Sequence, residues 1–294
     1  MKTITVIGAT GMLGNPVTWA LHRTGFQLKA MVRDPQKARA VLPPDCELVR
    51  GDLRQVEDIR SALAGADGLF LNLSVLPASR PSDFQPEREG IAHLMAELGD
   101  SSVQCVGMTS SLVQRYQGMQ GFDWWVFDLK LKAAERLKAG PVPSLLFYPS
   151  TFMENFDRGA YRRGNMIALA GDSAVPMHFI AGVDYGAQVA QAFQQFSGRS
   201  KEYVIQGPEA LTADAAAQIF VRHWSGRKLV VRKLPFGLLK LMGNFGRTFN
   251  YGRHIVEALN RYPEVWEAEA TWQELGPART TLAEYAQSAG QSGG

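Results

Sequence analysis

Three glycines, Gly8, Gly11 and Gly14, follow at three-residue intervals on the short β-branched run Ile4-Thr5-Val6-Ile7. That run reads as a buried strand. The stretch 15–21 reads as a helix, with Pro16 tolerated because it falls in the first turn. The glycines therefore occupy a strand-to-helix turn, where backbone amides and the helix dipole hold a phosphate. Gly8 allows the sharp turn, Gly11 lets a pyrophosphate approach the backbone, and Gly14 lets the helix pack close to the strand. A glycine-rich turn without a ligand fits the same seven residues. The decision rests on what surrounds them.

Strand-like runs recur at 4–7, 28–32, 47–50, 68–73, 103–108 and 144–148, with helical patterns between them at 14–23, 35–42, 56–64, 86–98 and 122–139. Alternation at this spacing predicts an α/β fold, a doubly wound parallel sheet with right-handed crossovers. Residues 1–150 would form the nucleotide-binding domain. Residues 151–294 would form a smaller, mostly helical substrate lobe, with some segments returning to the sheet. Helices are expected at 184–196 and 212–224, strands at 202–206 and 229–234, and a helical stretch at 236–259 broken by Gly243, Gly246 and Gly252. The tail 289–294 reads as disordered.

The chain has 294 residues, 46% of them hydrophobic, and a net charge of +3. It buries a large core, and its overall charge points to neither a nucleic-acid nor a membrane partner. Cys46 and Cys105 read as buried thiols, and the five histidines lack ligand spacing, so no metal site is expected. No apolar segment approaches the length of a membrane span and no signal peptide opens the chain, so a cytoplasmic protein is expected. Arg227-Lys228 and Arg232-Lys233 flank Leu229-Val230-Val231, which reads as the solvated end of a strand; Arg162-Arg163 is either that or a basic patch.

Ligands in such sheets bind beyond the carboxyl ends of the strands. The candidates there are Gly8, Thr10, Gly11, Met12 and Leu13 after the first strand, and Arg33 with Lys37 after the second. Asp52 and Leu53 follow the third strand, Asn72, Leu73 and Ser74 the fourth, and Thr109 and Ser110 the fifth. Tyr148, Pro149 and Phe152 lie at and after the sixth.

The heptapeptide Gly8-Ala9-Thr10-Gly11-Met12-Leu13-Gly14 resembles the GxxGxxG turn of short-chain dehydrogenases/reductases. Phe127-Asp128-x-Lys130, Tyr148-Pro149-Ser150-Thr151-Phe152-Met153-Glu154-Asn155, Asp184-Tyr185-Gly186 and Gly207-Pro208-Glu209-Ala210-Leu211-Thr212 are similar to the NmrA-like branch of that superfamily. The resemblance covers nearly the whole chain. It implies a Rossmann sheet that binds NAD(P)(H), and it spans both reductases and redox sensors without turnover. Arg33, standing where NAD-preferring proteins carry an acid, points to the 2′-phosphate of NADP(H), with Lys37 one helical turn on. Asp34 would cap the helix beginning at Pro35. Asp52 is either the acid near the adenine or the cap of the next helix.

The superfamily's Tyr-x-x-x-Lys pair is incomplete: Val126 stands four residues before Lys130. Lys130 is the candidate catalytic residue, with two roles open, an anchor for the nicotinamide ribose or the proton donor itself. Thr109, Ser110 and Ser111 either orient the nicotinamide or cap a turn. Tyr148 replaces the family's usual arginine, as a space filler or as an acid near substrate. The stripe Phe236, Leu239, Met242, Phe245 and Phe249 reads as core, part of it lining an apolar pocket with Phe152, Trp124 and Trp125. Of the two tryptophans, one should be buried and the other face the pocket. The expected function is an NADPH-dependent reductase of a small apolar carbonyl or conjugated substrate; the alternative is a non-enzymatic NADP(H) sensor acting through a protein partner.

Overall fold

A computed structural model describes residues 1–291. Six strands of the first half are β1 (Thr3–Ile7), β2 (Gln27–Val32), β3 (Glu47–Arg50), β4 (Gly68–Leu71), β5 (Cys105–Thr109) and β6 (Ser144–Pro149). They alternate with α1 (Gly14–Arg23), α2 (Pro35–Arg39), α3 (Val56–Leu63), α4 (Ile91–Leu98) and α5 (Trp125–Lys138). In the second half come β7 (Arg162–Arg163), β8 (Met166–Ala170), β9 (Met177–His178), α6 (Gly182–Gln194), β10 (Lys201–Ile205), β11 (Ala210–Leu211), α7 (Ala213–His223) and β12 (Val230–Leu234). The helices α8 (Phe236–Gly243), α9 (Arg247–Arg261), α10 (Glu269–Leu275) and α11 (Leu282–Gln291) complete the chain.

The central sheet has seven strands in the order β10-β6-β5-β4-β1-β2-β3, all paired in parallel. A parallel sheet needs cover on both faces. One face packs against α3, α4 and α5 through residues such as Ile59, Leu94 and Phe127. The other packs against α1 and α6 through Val17, Leu21, Val189 and Phe193. A separate core around Phe156, Phe179 and Phe220 holds the lobe built on β7, β8 and β12 with α7 and α11. No helix among the described residues is long and apolar enough to cross a membrane.

Elements differ from expectation in extent or type, and β7, β8, β9 and β11 have no counterpart among the expected strands. The 86–98 stretch is divided: Pro86–Gly90 is a π-helical turn and only then does α4 begin. The helix expected from Phe122 starts at Trp125, because Phe122 and Trp124 are extended and a short 3₁₀ turn, Met119–Gly121, precedes them. The 236–259 stretch breaks after Gly243 and at Gly246, the extended N-cap of α9, as expected, but Gly252 lies inside α9 without breaking it. In the tail, Ala289–Gln291 close α11, and residues 292–294 lie outside the described part.

Candidate cofactor site

The strand order reverses beside β1, with β2 and β3 to one side and β4, β5, β6 and β10 to the other. Crevices at such reversals lie beyond the carboxyl ends of the strands. All seven carboxyl ends share one edge, so Gly8, Arg33, Asp52, Asn72, Thr109 and Pro149 follow or end their strands there.

The glycine turn is built by close approach. Gly8 has φ +86°, a left-handed conformation that side chains disfavour. A Cβ on Gly14 would lie 2.1 Å from the Gly8 carbonyl oxygen, so α1 meets the turn as only glycine permits. A Cβ on Gly11 would meet the Gly8 oxygen at 3.2 Å and Asn72 Nδ2 at 3.3 Å. Gly11 therefore serves the inside of the turn, and Asn72, whose amide donates to the Ile7 carbonyl, braces it from β4. Thr10 is exposed, Met12 and Leu13 half-buried, Leu73 buried and Ser74 exposed, so the loops of β1 and β4 offer mixed polar and apolar surface.

Asp34 caps α2: its carboxylate accepts from the Lys37 amide at 3.2 Å, which holds its pKa below the ordinary value. Lys37 lies 3.3 Å from the same carboxylate. Arg33 is exposed and makes no ion pair among the described residues. Asp52 does not cap α3, whose N-cap is Gln55. Its carboxylate instead closes a turn onto the Arg54 amide, at 2.9 Å, and pairs with the Arg54 guanidinium. Leu53 is buried and its carbonyl faces His93 Nδ1 at 2.8 Å.

Lys130 lies on α5, and its ammonium donates to Glu87 Oε1 at 2.6 Å. The Glu87 side chain is 2% exposed and that of Lys130 16%. Burial alone would pull the lysine pKa down, but the adjacent Glu87 carboxylate more than reverses this, and the group sits above the ordinary lysine value. Glu87 was missed in the sequence because it is 43 residues away and reaches Lys130 from the π-helical turn. The other Glu87 oxygen has no protein partner. Trp124 is buried, stacked parallel to His254 at 5.3 Å and edge-on to Tyr251 at 4.9 Å, while Trp125 is half-buried.

Thr109 Oγ1 lies 2.7 Å from the hydroxyl of Tyr185 on α6, a second partnership absent from the sequence reading. Burial pushes the Tyr185 hydroxyl up, with the Thr109 contact opposing. Ser110 donates to Gln114 Oε1 at 2.9 Å. Phe152 is buried edge-on against Tyr185 at 5.3 Å. Tyr148 is buried on the α5 face; burial and the Glu202 carboxylate push its phenol up, and the Arg115 guanidinium lies 5.8 Å from its ring centre. Pro149 ends β6, buried. A cleft of about 590 Å³ opens at the opposite, amino-terminal edge, lined by Lys2, Gly25 and Gln104, away from all of these groups.

Glu154 of the FMEN stretch is buried, accepting from the Gly182 amide at 2.8 Å at the start of α6, with its second oxygen unpartnered. Burial pushes its pKa up to about 7. A carboxyl whose pKa rises on folding contributes stability below its unfolded value and loses it as pH climbs through the folded value. The native chain should thus lose stability between its ordinary 4.5 and about 7. Glu154→Gln keeps an acceptor for Gly182 and removes that loss, a gain of up to about 3 kcal/mol at slightly alkaline pH and none in mild acid. Urea unfolding at the two pH values checks this; parallel pH profiles for both proteins would show that Glu154 is not the group responsible.

The sequence model of the NmrA-like family matches residues 1–286. The NAD(P)H azoreductase of Xenophilus azovorans is 25% identical over 229 residues, 74% of this chain and 72% of that protein. Quinone oxidoreductase 2 of Escherichia coli is 25% identical over 236 residues, 79% and 77% of the two chains. The crystal structure of the Citrobacter sp. triphenylmethane reductase complexed with NADP(H) superposes with a TM-score of 0.73 at 20% identity, covering 98% of this chain and 99% of that one. At that identity the likeness shows the fold.

Proposed function

The chain belongs to the NmrA-like family, and from that premise we propose that it is an NADPH-dependent reductase of a small, largely apolar conjugated acceptor such as a quinone, an azo compound or an enone. The observation that carries the choice of cofactor is Arg33, exposed and without an ion partner at the end of β2, while the neighbouring Asp34 is turned away into the cap of α2. The glycine turn fits a dinucleotide: its amides sit at the start of α1, and Gly8 and Gly14 approach too closely for side chains. The azoreductase and quinone-reductase relatives support the acceptor class.

When bound, the nicotinamide supplies a hydride. The residues of the chain bind and orient it. Gly8, Thr10, Gly11, Met12 and Leu13 would hold the pyrophosphate, and Arg33 with Lys37 the 2′-phosphate. Asp52, Leu53, Asn72, Leu73 and Ser74 would border the adenine and the inner ribose. Lys130, kept protonated by Glu87, has a donor available for a ribose hydroxyl, the anchor role. Thr109 and Ser110, with Pro149 and Phe152, would border the nicotinamide. Tyr148, buried beside Glu202, fits the space-filling role.

NADPH should bind about ten- to a hundredfold more tightly than NADH, since a hydrogen bond to a charged group is worth about 1.5–3 kcal/mol. Arg33→Asp should erase or invert the preference. Titration calorimetry with both cofactors measures it; equal affinities in the native chain would remove Arg33 from the site. Turnover is tested by NADPH oxidation against a panel of quinones, azo dyes, aldehydes and enones.

One observation favours a second reading, a non-enzymatic NADP(H) sensor. Val126 replaces the usual phenol, and Lys130 and Thr109 are already held by protein partners at 2.6 and 2.7 Å. Tight NADPH binding with no oxidation by any acceptor in the panel would select it.

A further inference from the structure

Of the stripe expected to be core, Leu239 is buried, Phe236 and Met242 are half-buried and Phe245 and Phe249 are exposed, and two leucines outside it, Leu238 and Leu241, are exposed as well. Leu238 is 44% exposed, Leu241 54%, Phe245 85% and Phe249 46%. On a helix turning about 100° per residue, Leu238 and Leu241 fall within roughly 60° of each other, Leu239 and Gly243 fall on the inner side, and Phe245 follows two residues beyond the end of α8. The inner side is closed: the Arg253 stem packs on Gly243, where a Cβ would lie 2.9 Å from it. Tyr251, Ile255, Ala258 and Tyr262 bind α9 to the core beside Trp124. The outer apolar row faces solvent at the tip of a well-anchored hairpin.

Along the sequence, the charge about that row is one-sided, though Asp172, next to Gly171 against Phe236, lies near the start of α8. Between Ala215 and Val256 the chain carries eight lysines and arginines and not one aspartate or glutamate, although the whole chain has a net charge of only +3. Lys233 is neutralised by Asp172 and Asp214. Arg232, Lys240 and Arg247 are exposed and make no ion pair among the described residues. Lys240 and Arg247 bracket Phe245 in the sequence. The modest overall charge, from which no membrane partner was expected, hides a local excess.

We propose that the α8–α9 hairpin is a membrane-surface contact that seats Leu238, Leu241 and Phe245 in the interface of an anionic lipid bilayer, with Lys240, Arg247 and Arg232 against the headgroups. Basic amphipathic segments with Phe and Leu on the apolar side bind in this way, by apolar burial and attraction to anionic lipid together. A second copy of the chain fits less well, because a two-fold contact through this face would set two acid-free basic segments against each other. A nucleic acid would use the cations but not a phenylalanine 85% exposed at their centre.

The test is co-sedimentation of the full chain with vesicles of phosphatidylcholine alone and of phosphatidylcholine with phosphatidylglycerol in equal parts. It reads binding and not turnover, so it is independent of the reductase reading. Binding is expected to the anionic vesicles and to fall at high salt. Leu241→Ser with Phe245→Ser should weaken it roughly tenfold or more. Lys240→Gln and Arg247→Gln should each weaken it roughly fivefold. Urea midpoints of the variants, expected to match the native chain, show that the fold is intact. The proposal is overturned by no binding to anionic vesicles, or by binding that the variants leave unchanged. It is equally overturned by a native dimer that the serine variants make monomeric, or by salt-sensitive binding to duplex DNA alone.

Discussion

Lys130→Met should lower the free energy of unfolding by about 3–5 kcal/mol, the range for stripping one partner from a buried ion pair. The cause is what remains. Glu87 is 2% exposed, one of its oxygens has no partner, and the other has only the ammonium 2.6 Å away. Methionine keeps most of the lysine stem's packing and removes the charge. Adding Glu87→Met should return most of the loss, because two apolar side chains leave no uncompensated charge. Lys132→Met is the control: that lysine is exposed and pairs with Asp128 one turn away, so its loss should cost less than about 0.5 kcal/mol. Urea titration of the four proteins measures the cycle. An unfolding free energy for Lys130→Met equal to that of Lys132→Met would mean that the pair is not structural. Cofactor binding separates the two roles of the ammonium. As a ribose anchor, its loss should weaken NADPH binding by about 1–3 kcal/mol, with turnover largely restored at saturation. As proton donor, its loss should cut turnover by roughly 10²–10⁴ even at saturation.

Gly14→Val should cost at least about 3 kcal/mol and weaken NADPH binding by more than about a hundredfold. The Cβ would lie 2.1 Å from a backbone oxygen of the same turn, and no rotamer relieves a clash at Cβ. Either α1 retreats from the turn or the turn opens, and both displace the amides proposed to hold the pyrophosphate. Gly11→Ala separates the effects. Its Cβ would sit 3.2 and 3.3 Å from its neighbours, a misfit that shifts of a few tenths of an ångström absorb. That variant should stay folded and bind NADPH more weakly than the native chain. Native NADPH affinity in Gly14→Val, read by calorimetry, would sink the assignment of this turn to the cofactor.

What the sequence made legible was local. The glycine turn, the Asp34 cap and the parallel sheet depend on residues within a few positions of one another or on a repeated strand-helix spacing. What it hid was long-range. Glu87 meets Lys130 across 43 residues, and Thr109 meets Tyr185 across 76, with no local pattern to join them. A π-helical turn at Pro86–Gly90 adds to the difficulty, since its spacing differs from the helical period by which the segment was read. Part of the stripe ending at Phe249 lies outside the core for another reason. Periodicity tells which side of a helix is apolar, not whether anything covers it, and here Leu239 is buried while Phe245 stays outside. Asp52 shows the limit at short range: the same residue type closes a turn or caps a helix, and two residues of backbone decide between them.

The return of β10 to the sheet beside β6 sets the order in which this chain is able to fold. Until Lys201–Ile205 has left the ribosome, β6 is an edge strand with its backbone groups unpaired. Until α6, which precedes β10 in the chain, has emerged, Phe70 and Phe147 lack the cover of Phe193 and Tyr185. The nascent first half is therefore a sheet with one apolar face incompletely covered and the apolar β6 at its edge in place of the charged β10, a combination prone to pair with the wrong neighbour. Gln206, directly after β10, marks the point at which β6 has its partner strand. Contacts of such long sequence separation are slow to form, because loop-closure entropy must be met before they stabilise anything. Pairing of β10 with β6 and packing of α6 on the sheet are thus what the first half lacks in the interval between synthesis of β6 and β10.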